Sequence, residues 1–392
     1  MKETTNDARV GILTSHPIQY QAPWFRELAK RCGLKVFFAH RPDAAQQGEG
    51  FGKAFEWDVD LLAGYESEFL RNVSRAPGTG HFGGCDTPEI GGKLRAGGFD
   101  AVILNGWYLK SYLQALWACK RAGIPVLVRG DSQLGTPRSR VKQWLKEPVY
   151  RWLLGRPDGF LTVGQRNREY LRHYGVPEAR IFPAPHFVDN DWFAARAAVA
   201  DRSTIRERWG IPADGMAVLF AGKFQEKKRP LDLVRAVAAL AAAERPHLVF
   251  VGSGALEESL RGEAARAGVG AVFPGFLNQS ELPSAYAAAD LLALPSDGGE
   301  TWGLVVNEAM ACGTPAVVSD ACGCAPDLID AGQTGFVHPV GDVAALADRL
   351  REVWKRKRAG HDWTPALARK LKDYSVDACA SGTMAAASHV KR

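Results

Sequence analysis

Short, largely apolar runs of strand length recur along this chain, most followed by a turn and then a longer stretch with helical periodicity. The runs fall at 10–13, 35–39, 101–104, 125–128, 159–163, 217–221, 247–251, 291–294 and 315–318. A strand with one face in water alternates apolar and polar residues. Continuous apolar runs separated by helices instead predict parallel sheets covered on both faces. The alternation pauses between Phe182 and Gly215, where Pro183, Pro185, Asp189, Asn190 and Asp191 break it and a helix follows at 203–209. It resumes at Met216. The pattern predicts an α/β protein of two Rossmann-like, doubly wound parallel-sheet domains, over residues 1–188 and 189–370, facing across a cleft. A chain of 392 residues is also too long for one ordinary core. After Trp363 no strand pattern remains, and the tail reads as helical.

Composition narrows the class. The chain is 46% hydrophobic and 23% charged, an ordinary globular balance. No apolar run has the length of a membrane span. Residues 1–9 are polar and lead straight into a strand, so no signal peptide is expected and the expected location is cytoplasmic. Seven cysteines without regular spacing argue for a reducing compartment. Cys322-Gly-Cys324 is the one close pair, and its spacing suits a zinc site poorly. No metal, cofactor or nucleic-acid partner is expected. The net charge of +6 favours an anionic partner, either a phosphate-bearing substrate or a membrane surface.

In open parallel sheets, ligands bind beyond the carboxyl ends of the strands. The densest chemistry there lies at 294–315. A glycine-rich loop follows the strand, then a helix expected over 302–312 and stopped by Gly313 and Pro315. That helix is apolar on nearly every side, so it should be buried. A carboxylate on it, Glu308, then needs partners: the two hydroxyls of a ribose, or a salt bridge to a neighbour. Glu300 precedes the helix, where free amides from Thr301, Trp302, Gly303 and Leu304 would favour an anion. Its plainer reading is a helix-capping acid.

A second loop runs Gly222-Lys223-Phe-Gln-Glu-Lys-Lys228-Arg-Pro230. Lys223 and Lys228 could neutralise a diphosphate leaving group, or form a solvated basic loop. Gly252-Ser-Gly254 lacks the third glycine of a dinucleotide fingerprint, which disfavours a nicotinamide oxidoreductase.

Taken in order, Gly222-Lys223 with Lys228, Val251 to Gly254, Phe273-Pro-Gly-Phe-Leu277, Tyr286 to Asp290, Leu294-Pro-Ser296 and Glu300-x7-Glu308 through Gly313-x-Pro315 resemble the retaining glycosyltransferases of family 4, with the GT-B fold. The resemblance implies that Glu308 binds the donor ribose and Glu300 contacts hydroxyls of the transferred sugar. It implies that Lys223 and Lys228 hold the diphosphate, in place of the arginine usual at the first position. Backbone at Phe276 and Leu277 would meet the base. Gly222, Gly252 and the amides of 301–304 would complete the donor site without a metal. It further implies that helices in 371–392 cross back onto the first domain.

The first domain begins with Ser15-His16-Pro-Ile-Gln19-Tyr-Gln-Ala-Pro23, which resembles a subgroup whose members begin in this way. No glycine-rich loop stands here, so His16 and Gln19 are candidates for side-chain contact to donor or acceptor; the other reading of His16 is a turn histidine held by its neighbours. Trp107 follows a strand and suits sugar stacking or surface packing. Arg129 and Asp131 follow the next strand. Asp131 is the candidate that activates or orients the acceptor, with a plain ion pair to Arg129 as the alternative. Residues 138–156 interleave Arg138, Arg140, Lys142, Lys146, Arg151 and Arg156 with Trp144, Leu145, Val149, Trp152, Leu153 and Leu154. That composition suits a helix lying on an anionic membrane surface, or a helix with an apolar core face and a solvated basic face.

The expected function is transfer of a sugar, with retention, from a uridine or guanosine diphosphate sugar to a glycan or lipid-linked acceptor, in bacterial surface polysaccharide assembly. The competing readings are a nucleotide-sugar epimerase of the same fold and an inactive glycan-binding homologue.

Overall fold

A computed structural model describes residues 8–137 and 139–391, with the side chains of 140–143 left aside. Two sheets organise it, and every strand pair in both is parallel. The first sheet contains β1 (Arg9–Thr14), β2 (Gly33–Phe38), β3 (Glu66–Phe69), β4 (Ala101–Leu104), β5 (Val126–Gly130), β6 (Gly159–Thr162) and β7 (Ile181–Pro183) in the order β3-β2-β1-β4-β5-β6-β7. The second contains β8 (Ala217–Ala221), β9 (His247–Val251), β10 (Ala271–Gly275), β11 (Leu291–Leu294), β12 (Ala316–Ser319) and β13 (Gly335–His338) in the order β10-β9-β8-β11-β12-β13. The strand order reverses direction between β1 and β4 and between β8 and β11. At those switch points the loops diverge and open a crevice, which is where ligands of this architecture sit.

The central strands are buried along their whole length, as their apolar runs require: β4, β8, β11 and β12 expose no residue. The four strands absent from the apolar pattern, β3, β7, β10 and β13, are the four sheet edges. β3 reads Glu-Ser-Glu-Phe, and β7 and β10 each carry a proline. An edge strand has one unpaired side, so it tolerates proline and charge that a central strand cannot.

The pause between the sheets holds two helices, Asn190–Ala198 and Arg202–Arg208; each is capped by an aspartate, Asp189 or Asp201, accepting a backbone N–H. The cluster of proline and aspartate residues therefore ends one domain and also starts a helix. The last helix, Val376–Val390, leaves the second domain and packs on the first. Arg31 pairs with Asp377 at 2.6 Å, and a Cβ at Gly382 would sit 1.8 Å from the carbonyl oxygen of Pro183. That helix is held so close to β7 that only glycine fits there.

Candidate active site

The donor-loop helix spans Leu304–Ala311 and starts at Gly303, whose φ of 103° is a left-handed conformation. It therefore begins later than the apolar pattern suggested, because the chain must turn sharply after Trp302. The Trp302 indole is buried, donates to Asn307 Oδ1 at 2.8 Å and packs 5.2 Å from the His186 ring. Any donor contact from Trp302 must therefore come from its backbone. Beneath this loop runs the Cys322-Gly-Cys324 turn. Its Gly323 N–H donates to the Glu300 carbonyl and its Cys324 N–H to the Trp302 carbonyl, both at 3.0 Å. A Cβ at Gly323 would lie 1.8 Å from the Thr301 oxygen. The close cysteine pair brackets the glycine that lets this floor approach.

Glu308 is fully buried. It makes no salt bridge among the described residues, contrary to one reading of the sequence. Two phenols satisfy it instead: Tyr286 Oη donates at 2.6 Å and Tyr20 Oη at 3.0 Å. Tyr286 comes from the same domain, whereas Tyr20 reaches across the cleft from the loop after β1. A carboxylate that accepts two hydroxyl protons is already arranged as it would be for a ribose diol. Burial pushes the Glu308 carboxyl up to about 7, against the pull of both phenols.

The sign of that shift gives a testable consequence. The folded protein holds a proton on Glu308 that the unfolded chain releases near 4.5. Its contribution to stability therefore falls as pH rises from about 4.5 to about 7 and is flat above. Glu308→Gln removes the titration. Denaturant melts should show wild type losing stability relative to E308Q by up to about 3 kcal/mol across that window. Parallel pH profiles would contradict the assignment.

Glu300 is enclosed beside Lys228. Lys228 Nζ pairs with Glu300 Oε2, and Ser296 Oγ donates to the same oxygen at 3.4 Å. Burial alone would raise the Glu300 carboxyl, but the Lys228 charge outweighs it and holds the group below its ordinary value. The Lys228 side chain is only 13% exposed, so this is not a solvated basic loop. Lys223 has a different partner: its Nζ donates to the carbonyl of Glu49, in the first domain, and lies 4.9 Å from the Phe51 ring. Burial lowers its affinity for a proton. Gly222 and Gly252 bring the two loops together, since a Cβ at Gly252 would sit 2.0 Å from the Gly222 oxygen.

Across the cleft, a cavity of ≈ 330 Å³ in the first domain is lined by Asn105, Trp107, Tyr108, Arg129, Asp131 and Lys146, among others. Trp107 stacks on Tyr170 with ring centroids 6.0 Å apart. Arg129 and Asp131 do not pair with each other. The Arg129 guanidinium lies 5.2 Å over the Trp24 ring and 3.4 Å from His186 Nδ1, while Asp131 accepts from Thr301 Oγ1 at 2.8 Å. Asp131 therefore touches the donor loop itself. His16 bonds its neighbour Ser15 at 2.9 Å, and burial with His40 nearby pushes it down to about 4. His16 is therefore neutral at neutral pH, able to share hydrogen bonds but too weak a base to take up a proton there. Gln19 keeps its Oε1 buried without a partner among the described residues.

Three participants escaped the sequence reading. Tyr20 stood in the quoted first loop without a role. The buried Gln133 amide donates to the carbonyls of Gly298 and Glu300 at 3.0 and 2.9 Å, clamping the donor loop from the other domain. Residues 49–58 form a strap from the first domain that lies over the ends of β8, β9 and β10. Ser253 Oγ donates to the Phe51 carbonyl and Asn278 Nδ2 to the Glu56 carbonyl, each at 2.7 Å. The Phe51 and Phe55 rings pack 5.0 and 4.5 Å from Phe276, and Leu277 packs against the second domain's core. An irregular polar segment with scattered aromatics gives no periodic signal by which to find it. Among the described residues, no group of three or more His, Cys, Asp or Glu could hold a metal ion.

Comparison with known proteins fits this geometry. Residues 201–370 match the model of the glycosyl transferases group 1 family, and residues 17–186 match that of the glycosyl transferase 4-like domain. A D-inositol 3-phosphate glycosyltransferase of Actinosynnema mirum is 35% identical, across 90% of this chain and 92% of its own. The chain belongs to the glycosyl transferases group 1 family. A 2-deoxystreptamine glucosyltransferase of Streptomyces kanamyceticus is 33% identical over 57% of this chain, which spans 60% of that relative's length. Among solved structures, Anabaena Alr3699/HepE, crystallised with UDP and glucose, shares the fold at a TM-score of 0.70 and 17% identity, covering 97% of this chain and 100% of its own. For this member of the group 1 family, the expected two-domain fold holds.

Proposed function

We propose that the protein transfers a sugar, with retention at the anomeric carbon, from a uridine or guanosine diphosphate sugar to a glycan or lipid-linked acceptor in surface polysaccharide assembly. The observation that carries this reading is the buried constellation at the ends of β8 and β11. There the Lys228–Glu300 pair stands in the same site as Glu308, a carboxylate arranged to accept two hydroxyls. Relatives named as glycosyltransferases, and a fold neighbour crystallised with UDP and glucose, support it.

In this reading Glu308 accepts the ribose hydroxyls, and Tyr20 yields its place. Glu300 orients the transferred sugar. Lys223, Lys228 and the amides of 301–304 take up charge as the bond between the sugar and the diphosphate breaks. The acceptor oxygen attacks the anomeric carbon from the side the diphosphate leaves, and the departing phosphate takes the acceptor's proton. Asp131, already hydrogen-bonded to the donor loop, holds the acceptor. The test is to incubate purified protein with a panel of nucleotide sugars and follow nucleoside diphosphate release. One uridine or guanosine donor should be consumed well above the rest, and consumption of none would refute the proposal.

We also place the protein at the cytoplasmic face of a membrane through the basic helix Arg140–Leu154. No helix among the described residues is long and apolar enough to cross a bilayer. This helix instead exposes Trp144, Leu145, Val149 and Trp152 at 75%, 58%, 55% and 53%, beside the acceptor cavity that Lys146 lines. Large exposed apolar side chains on a basic helix suit an anionic interface. Lys146 turns inward to Tyr170 Oη at 2.7 Å, and Arg138 with the side chains of Arg140 and Lys142 lies outside the described residues. Phosphatidylglycerol vesicles should carry the wild type in flotation, and the double substitution Trp144→Ser, Trp152→Ser should release it. Equal flotation of both would exclude this helix as the docking element.

A further inference from the structure

We propose that the strap at 49–58 is the outer wall of the nucleoside pocket, with Phe51 and Phe55 closing on the base from the first domain. The inference rests on the donor-site reading above and adds the residues that grip the nucleobase.

The strap borders a groove of ≈ 770 Å³ together with the ends of β8, β9 and β10. The floor is glycine-rich: Gly254 and Gly275 both have positive φ, and a Cβ at Gly275 would meet nothing within 4 Å. A floor without side chains leaves room for a flat ligand. The walls are aromatic, with Phe51 from the strap and Phe276 from the loop after β10. Against the Phe51 ring stands Lys223, a half-buried ammonium that makes no ion pair among the described residues and is held by a single carbonyl and that ring. Such a cation gains most from an anion. A planar group beside aromatic rings, joined to a diphosphate at a lysine, is the shape of a nucleoside diphosphate.

The strap's own composition points the same way. Residues 49–58 are mostly exposed, yet Phe51, Phe55 and Trp57 are half-buried, each ring within 5.8 Å of a neighbour in the set. Three aromatics in a solvated segment are costly unless they have a surface to cover. Three anchoring contacts cross between domains: Ser253 and Asn278 to strap carbonyls, and the Ser280 N–H to the Asp58 carboxylate at 3.2 Å. The carbonyl of Glu49 stands where a diphosphate would neutralise Lys223. A bound nucleotide takes the place of that carbonyl and rests its base against Phe51.

Calorimetric titration of the full chain with the preferred nucleoside diphosphate tests this, with inorganic pyrophosphate as the second probe. Phe51→Ala and Phe55→Ala should each weaken the nucleotide by at least about fivefold, the loss of one ring stacking on a base. Phe55→Tyr should restore it, and pyrophosphate should bind both Phe55 variants as it binds wild type. Wild-type nucleotide affinity in both alanine variants, with Glu308→Ala weakened, would overturn the strap alone. Equal loss for pyrophosphate in Phe55→Ala would overturn it too, by showing that the strap supports the loops rather than the base. Failure of wild type to bind any nucleotide would overturn the donor-site reading beneath it. Circular dichroism melts keep the variants interpretable.

Discussion

Lys228→Ala is expected to lower kcat/KM for the donor by roughly 10²–10³-fold, the effect of removing one charge-stabilising group from a preorganised site. The same substitution is expected to destabilise the protein. Lys228 and Glu300 neutralise each other where neither is solvated, with side chains 13% and 14% exposed. Removing one partner leaves the other charge uncompensated, which costs about 3–5 kcal/mol for a buried pair. The pH dependence separates the two effects. In wild type the Glu300 carboxyl is held below its ordinary value, so its stabilisation is present above the unfolded pKa and is lost as pH falls through the folded one. Without Lys228, burial is opposed only by the Lys227 charge and the Ser296 hydroxyl, and the stabilising slope of Glu300 at acid pH should shrink or reverse. Lys228→Arg keeps the charge and should recover most of the stability, with less of the activity because the guanidinium is wider. Steady-state kinetics and melts at several pH values read both. An alanine variant with unchanged turnover would remove Lys228 from the chemistry.

Gly252→Ala is the second large effect. Gly252 has φ 131°, and an added Cβ would fall 2.0 Å from the carbonyl oxygen of Gly222. The obstacle is backbone, so no rotamer relieves it. Backbone strain with overpacking suggests a loss of about 3 kcal/mol or more, seen as a fall of about 4–8 °C in Tm. Donor affinity should fall as well, since the separation forced on Gly222 moves the loop that carries Lys223 and Lys228. Gly210→Ala is the control: its φ is also positive, at 64°, but the added Cβ meets nothing within 4 Å. It should cost only the backbone strain and leave affinity unchanged.

The contrast between the two halves of the site has a physical origin. Glu308 was legible because a carboxylate on an almost wholly apolar helix demands a partner, and the demand can be read without knowing the partner. Tyr20 was not, because its relevance depends on how two domains meet, which no local pattern encodes. Gln133 and the strap are hidden for the same reason. The strands divide in the same way: central ones announce themselves as apolar runs, whereas β3, β7, β10 and β13 are edges whose charge and proline disguise them. Arg129 and Asp131 looked like a pair because they are close in sequence. Residues two apart share a face within a strand, but β5 ends at Gly130, so Arg129 stays with the sheet while Asp131 stands in the loop beyond it with other neighbours.

The central claim is that a nucleoside diphosphate is held by the second domain with its ribose on Glu308. Calorimetric titration of uridine, guanosine and adenosine diphosphates into wild type and Glu308→Ala tests it most directly. One nucleotide should bind wild type, and Glu308→Ala should weaken it at least about tenfold, the worth of a charge-assisted hydrogen bond. Binding of none of the three, or equal affinity in the two proteins, would contradict it.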